Sequence, residues 1–211
     1  MISFDKTNHE YSMDGERYQN VSSIVNKYIP PFPKGLIAAK IAKRDGITEE
    51  EVLEQWDMKR EVSTLYGEAI HLGVELYIKY GELPKSTHIK EAVEAVAKVI
   101  DRKRTVTEMI VKDDELKIAG RTDILEKLGN NQVILDDIKT NYDLTDGKGY
   151  MLPPFDKLKN NNLNKYRLQQ SVYKFLLERR GLTVTKMRLF HWNTGLEIIE
   201  IEPLAVEKIL T

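Results

Sequence analysis

A chain of 211 residues with 41% hydrophobic side chains holds enough apolar material for one sizeable core and too little length for two well-separated domains. Its 32 Lys and Arg stand against 33 Asp and Glu, a net charge of -1; this excludes a uniformly basic surface and leaves any nucleic-acid contact to local patches. The absence of cysteine excludes disulfides, thiol catalysis, zinc knuckles and cysteine-held iron-sulfur clusters.

No stretch approaches the roughly 18 uninterrupted apolar residues of a membrane span, and "MISFDKTNHEYSMDG" lacks the basic start and apolar run of a signal peptide. The expectation is a soluble, cytoplasmic protein with no membrane partner, folded as a single domain over 1–211.

The first elements are short alternating segments around Asp14-Gly15, a small β-hairpin that leads into a helix starting near Ser22 or Ser23. "IPPFPK" then breaks the chain. From Thr48 to Lys79 the pattern is helical, with a capped acidic first turn and a core stripe of Val62, Leu65, Ala69, Leu72 and Leu76. Another helix covers 87–103. The period then changes from 3.6 to 2, predicting strands over 106–112, 116–126 and 132–140. Residues 141–160 form a polar loop, followed by a helix over 161–180 and a closing hairpin. The N-terminal hairpin and helices thus occupy 1–105, and the strand-rich core 106–202.

The hairpin "IAGRTDILEKLGNNQVILDDIKT" carries Asp123, Asp136, Asp137 and Lys139 in an apolar setting, where an unpaired charge costs several kcal/mol. A three-residue turn, Gly129 to Asn131, would place Asp123 opposite Asp137; a two-residue turn would slide it opposite Asp136 or Ile138 instead. Two carboxylates that close repel unless a divalent cation lies between them. Strand alternation puts Asp137 and Lys139 on one face and Asp136 and Ile138 on the other, so Asp136 is the weaker candidate. Mg²⁺ or Mn²⁺ held by Asp123 and Asp137 could neutralise a phosphodiester and activate water, with Lys139 stabilising developing charge. A structural Asp–Lys pair at a sheet edge is the competing reading.

Gly120-Arg-Thr-Asp123, Asp137-Ile-Lys139, Gln169-Gln-Ser-Val-Tyr173 and Gly67-Glu-Ala-Ile-His71, in that spacing and with the last element first in the chain, resemble the PD-(D/E)XK nuclease superfamily. The similarity is to its RecB-like branch, with Gly-x-x-x-His and Gln-x-x-x-Tyr motifs, and "NHEYSMDGERYQNVSSIV" resembles the start of phage-borne members. The resemblance implies a restriction-endonuclease-like α/β core, a mixed central sheet of about five strands flanked by helices. It implies Asp123, Asp137, Lys139, Gln169 and Tyr173 as catalytic residues. The implied metal ligands are His71, Asp123, Asp137 and the Ile138 carbonyl, with Glu108 acting through a water. Asp137 stands where Glu is more usual, and the iron-sulfur cysteines of some relatives are missing.

Gly67 and His71 share one helical stripe, which would leave space for an ion beside His71; His9, His88 and His191 have no such setting. Lys148, Tyr150, Lys157, Lys159, Lys165 and Arg167, with the rings of Phe155 and Tyr166, form the mixture of cations and rings that a single-strand-binding groove uses. A solvated loop is the alternative. No phosphate-binding glycine loop is found, so no nucleotide cofactor is expected and any unwinding must come from a helicase or recombination partner. The reading is a Mg²⁺- or Mn²⁺-dependent deoxyribonuclease, an exonuclease by resemblance, acting in recombination, repair or phage DNA metabolism. The competing class is a catalytically idle DNA-binding or assembly subunit that keeps the fold.

Overall fold

The computed structural model describes residues 3–5 and 10–210; His9 lies outside them. Strand β1 (Ser3–Asp5) pairs antiparallel with β2 (Glu10–Met13), and β2 with β3 (Glu16–Asn20). The β2–β3 turn has Asp14 and Gly15 at φ 53° and 82°, the positive-φ pair whose twist suits a two-residue hairpin. Helix α1 (Val21–Asn26) starts slightly before its expected place, because the Asn20 side chain accepts the Ser22 N–H at 2.9 Å and caps it.

Between the prolines and Thr48, where no helix is expected from sequence, α2 (Lys34–Asp45) forms and ends at Gly46 with φ 69°. Its buried face is made of Ala38 and Ala42 packed with Val52, residues too small to give a strong periodic signal. Helix α3 (Glu49–Tyr80) opens with a reciprocal cap: Thr48 Oγ1 accepts the Glu51 N–H at 3.1 Å, and Glu51 Oε2 accepts the Thr48 N–H at 2.7 Å. Its core stripe differs from the expected one. The buried residues of its C-terminal half are Ile70, Gly73, Val74 and Ile78, whereas Val62, Leu65 and Leu72 are 67%, 59% and 66% exposed. The sheet and helix α4 (Thr87–Ala97) cover only the C-terminal half of α3, on the side of Gly73, where a Cβ would come within 2.9 Å of Pro84 and Val93. The N-terminal half of α3 projects with α2 alone.

Strands β4 (Thr105–Asp113), β5 (Ile118–Gly129) and β6 (Gln132–Lys139) form an antiparallel meander. Helix α5 (Asn162–Arg179) crosses over, so that β7 (Thr183–Trp192) runs parallel to β6, and β8 (Leu196–Glu200) closes the edge antiparallel. A short α6 (Glu207–Leu210) follows. The architecture is mixed α/β, with eight sheet strands among the described residues where about five were expected. The additional three are β1 to β3, joined to the meander by two parallel pairs, Gln19↔Ile118 and Asn20↔Ala119.

Both faces of the sheet are covered. One carries α5, through Leu168, Val172, Leu176 and Leu177 against Val111, Leu125, Val133 and Leu135. The other carries α3 and α4, through Ile70, Val74 and Val93 against Ile124, Ile138 and Phe190. No helix among the described residues is long and apolar enough to cross a membrane.

Candidate metal and active site

The opening that becomes the site is produced by a fork. Strand β5 has β4 along one edge, while its other edge meets β3 at Ile118 and Ala119 and β6 only from Ile124 onward. Residues 120–123 of that second edge therefore lie between two diverging strands. Where the β5–β6 ladder stops, the Asp123 side chain takes over: its Oδ2 accepts the Ile138 N–H at 2.9 Å. Higher up the fork, Tyr173 of α5 fills the gap, its buried hydroxyl taking the Arg121 backbone N–H. Its ring lies so close that a Cβ on Gly120 would sit 2.6 Å from it.

The hairpin reaches the expected register by an unexpected route. Its turn has two residues, Asn130 and Asn131 at φ 48° and 60°, and Gly129 pairs with Gln132. A bulge at Leu128, between the pairs Lys127↔Val133 and Gly129↔Gln132, supplies the extra residue. The register beyond it runs to Ile124↔Asp136, which brings Asp123 level with Asp137.

The two faces separate the neighbouring acids as alternation requires. Asp136 turns toward α3 and α4 and is bound by Arg188, with no part in the cleft. Asp137 turns toward α5, and its Oδ2 lies 2.6 Å from Lys139 Nζ. That oxygen is buried and takes no well-aligned hydrogen bond. Burial, opposed by Lys139 and reinforced by Asp123, pushes the Asp137 carboxyl up to about 7. Burial acts on Asp123 in the same sense, but His71, Lys139 and the Ile138 amide outweigh it and hold this carboxyl below the usual carboxylate range. Burial also works against the Lys139 ammonium; the two carboxylates overcome it and keep the amine charged well above lysine's ordinary range.

His71, Glu108 and Asp123 place one ligand atom each within 4.8 Å of one another. One nitrogen and two carboxylate oxygens at that separation can converge on a divalent cation at about 2.0 to 2.4 Å. The ring orientation suits this: His71 Nε2 lies 3.1 Å from the Ile138 carbonyl, to which only an N–H can donate, and this leaves Nδ1, 3.4 Å from Asp123 Oδ2, as the nitrogen available to an ion. The residues present therefore fit a metal ion. Three placements stand against the sequence expectation. The Ile138 carbonyl is occupied in orienting His71, and Glu108 stands among the converging ligand atoms. Asp137 lies beside this group and outside it.

Glu108 is opposite Asp123 across the β4–β5 pair and drops out of the ladder at φ 55°, a conformation costly for any residue with a Cβ. Its carboxylate meets Arg121 Nε at 2.6 Å. Burial, opposed by Arg121 and aided by Asp123, raises its pKa above the ordinary glutamate value.

A cleft of about 1110 Å³ opens above these groups, between α3 and the forked sheet. Arg60, Thr64, Gly67 and His71 line it from α3, Arg121 and Asp123 from β5, and Lys139, Thr140 and Tyr142 from the end of β6. The space beside Gly67 is used by Thr140, whose Oγ1 would be 3.0 Å from a Cβ there. Gln169 lines the cleft and donates toward Ser22 Oγ at 3.4 Å, while Tyr173 is sealed in the core.

Of the residues offered for nucleic-acid contact, the Tyr166 ring lines the cleft and the others lie elsewhere. Lys148, Tyr150, Lys157 and Lys159 are exposed but do not line the cleft, and neither do Lys165 and Arg167. Arg167 donates to the Glu202 carbonyl at 2.6 Å, and Phe155 is buried edge-on against Tyr28 at 5.2 Å. The cations and rings that line the cleft include Arg60, Arg121, Lys139, Phe4, Tyr142 and Tyr166. Of these, Arg121 and Lys139 sit inside the sequence motifs. His191, unremarkable in sequence, is buried beside Lys139 across the parallel β6–β7 pair and holds the Asn141 carbonyl at 2.7 Å; only knowledge of the strand order could have pointed to it.

No protein family's sequence profile matches the chain, and no curated protein does. Among solved structures it is similar to the crystal structure of SSO0001, with 17% identity and a TM-score of 0.47 over 94% of this chain and 74% of that one. It is also similar to a presumed exonuclease from Eubacterium rectale, with 12% identity and a TM-score of 0.36 over 92% of this chain and 74% of that one.

Proposed function

We propose that the protein is a divalent-metal-dependent deoxyribonuclease of the PD-(D/E)XK type, hydrolysing DNA phosphodiesters in the cleft between α3 and the forked sheet. The observation that carries the reading is the convergence of His71, Glu108 and Asp123 next to a buried, charged Lys139 paired with Asp137. A structural Asp–Lys pair at a sheet edge requires no histidine and third carboxylate aimed at the same point.

His71, Glu108 and Asp123 would hold the cation, with Asp137 as the adjoining carboxylate. Bound there, Mg²⁺ or Mn²⁺ would offset phosphate charge and lower the pKa of a water. Lys139 donates to the attacking water or to the phosphate oxygen on which negative charge develops, from a position the protein has fixed beforehand. Water oxygen forms the new bond to phosphorus as the bond to the leaving oxygen breaks; the proton the water gives up passes to solvent in the open cleft, and the leaving oxygen takes one from solvent. Arg60 at the rim and Arg121 on the floor supply charge for the phosphates on either side. Gln169, which lines the cleft, would contact the backbone, while Tyr173 would act by filling the fork. Action on DNA ends is the preferred form, by resemblance to recombination and repair exonucleases, and a helicase or recombination partner fits a chain without its own phosphate-binding loop.

The test uses purified protein with linear, circular and single-stranded DNA in Mg²⁺, Mn²⁺ or EDTA. Turnover should require metal, favour linear over closed circular DNA, and fall by at least about 100-fold in Asp123→Asn, Asp137→Asn and Lys139→Ala. In the same variants Mn²⁺ should raise the thermal midpoint of the wild type and not that of Asp123→Asn. Equal activity in EDTA would sink the proposal; metal-dependent stabilisation and DNA binding without cleavage would favour the idle-subunit reading.

A further inference from the structure

We infer that Tyr166 is a positioning residue for Lys139, its ring a fixed platform that keeps the ammonium over Asp137. The inference rests on the nuclease reading, in which Lys139 is the charged donor, and it concerns a residue outside every motif in the sequence.

Lysine has a flexible four-carbon stem, and a donor that must act in a transition state gains from having that freedom removed. Lys139 Nζ is held from two sides. Asp137 Oδ2 lies 2.6 Å away, and the centroid of the Tyr166 ring lies 4.6 Å away, within the range at which a cation is drawn to an aromatic face. The ring is itself immobilised. Its hydroxyl donates to Asn141 Oδ1 at 2.6 Å, and the Asn141 carbonyl accepts from His191 Nε2 at 2.7 Å. Asn141 is two residues beyond Lys139, so α5, the exit of β6 and the neighbouring strand β7 close a small circuit around the lysine. Burial keeps the phenol protonated, as its donor role requires.

Two alternatives assign the ring other work. As a packing residue, Tyr166 would need neither the side-chain amide partner nor the ammonium on its face. As a stacking surface for a nucleic-acid base it could use only the face opposite Lys139, and steady-state kinetics separate that role from positioning.

The experiment compares Tyr166→Phe, Tyr166→Leu, Asn141→Ala and Lys139→Ala in steady-state cleavage, metal titration and thermal unfolding, together with proton NMR of the Lys139 ε-methylene. Tyr166→Leu should lower kcat by about 10- to 100-fold while KM for DNA and the half-saturating Mn²⁺ concentration stay within about twofold. Tyr166→Phe keeps the ring and should retain kcat within about threefold; Asn141→Ala should fall between. The ε-methylene resonance should show an upfield ring-current shift in the wild type and in Tyr166→Phe, and lose it in Tyr166→Leu. A fall in thermal midpoint with unchanged kcat would mark Tyr166 as packing, and a raised KM with unchanged kcat would mark it as a substrate contact; either overturns the inference, as does an unshifted wild-type resonance. If Lys139→Ala cleaves as well as wild type, it is the nuclease reading that fails, whereas a dead Lys139→Ala beside a fully active Tyr166→Leu removes only the platform.

Discussion

Arg188 closes on both oxygens of Asp136, Nε on Oδ1 at 2.6 Å and Nη2 on Oδ2 at 2.8 Å, on the far side of the sheet from Asp137. Asp136 is completely buried and Glu126 lies 3.6 Å from the same guanidinium. Two acids adjacent in the chain thus serve opposite layers. Asp136→Ala leaves Arg188 without its bidentate partner and should destabilise the fold by about 3 to 5 kcal/mol, with the turnover of the remaining folded protein little changed. Asp137→Asn should do the reverse. Urea midpoints alongside activity per folded molecule separate the two.

Glu108 holds a left-handed backbone conformation in the middle of a strand, φ 55°. Such strain costs a residue with a Cβ about 1 to 2 kcal/mol and spares glycine. Both Glu108→Ala and Glu108→Gly remove the carboxylate and its pair with Arg121, so both should weaken Mn²⁺ binding to a similar degree. In unfolding experiments without metal, Glu108→Gly should be the more stable of the two by about 1 kcal/mol. Equal stabilities would mean that the strain is not felt there.

The parts of this architecture that were readable from sequence are those that one strand or one helix states by itself. The period change before residue 106, the face alternation of Asp136 and Asp137, and the cap at Thr48 are local. The α3 stripe was misread because spacing gives the apolar face of a helix but not what is placed against it; Val62 and Leu65 have the right period and no neighbour to cover them. Glu108's entry into the ligand group depends on one backbone angle, and the roles of Tyr166 and His191 depend on the crossover that lays β7 beside β6. Neither leaves a mark on composition or periodicity. Phe155 shows the opposite error, an aromatic in a polar loop that the loop folds under itself.

Gly120 is required by contact and not by its backbone angle. A methyl group there would meet Tyr173 Cε1 at 2.6 Å and Val21 Cγ2 at 2.8 Å, and Tyr173 is buried with no room to withdraw. Gly120→Ala should cost about 1 to 3 kcal/mol through overpacking. Pairing it with Tyr173→Phe should not restore stability, since the clashing ring carbon remains; pairing it with Tyr173→Leu should recover part of the loss. Denaturant unfolding of the two double variants checks this.

At the sheet's other end Arg179 Nε bonds Asp113 Oδ2 at 2.5 Å, while Asp113 Oδ1 accepts the N–H groups of Glu115 and Leu116 at 3.0 and 2.9 Å. Burial opposes the charge, but Arg179 and the two amides prevail and the folded pKa lies below the ordinary aspartate value. A depressed folded pKa contributes stability above the unfolded value of about 3.9 and loses it as pH falls through the folded one. Asp113→Asn should therefore be less stable than wild type at pH 7, and the difference should shrink on acidification through that window. Urea midpoints between pH 7 and pH 2.5 measure it; a gap that stayed constant would assign the loss to packing.

Leu128, the single bulged residue between Lys127 and Gly129, sits 39% exposed at the tip of the hairpin, far in sequence terms from any side chain that would touch a phosphate. Yet it acts as a spacer that sets which letter of the β6 strand is read against Asp123. Drawing it into the ladder while the two-asparagine turn persists would offset the strands by one position, as a frameshift offsets codons, and would present Ile138 where Asp137 now stands. The identity of the acid opposite Asp123 is thus written about 15 Å away, in the length of a loop.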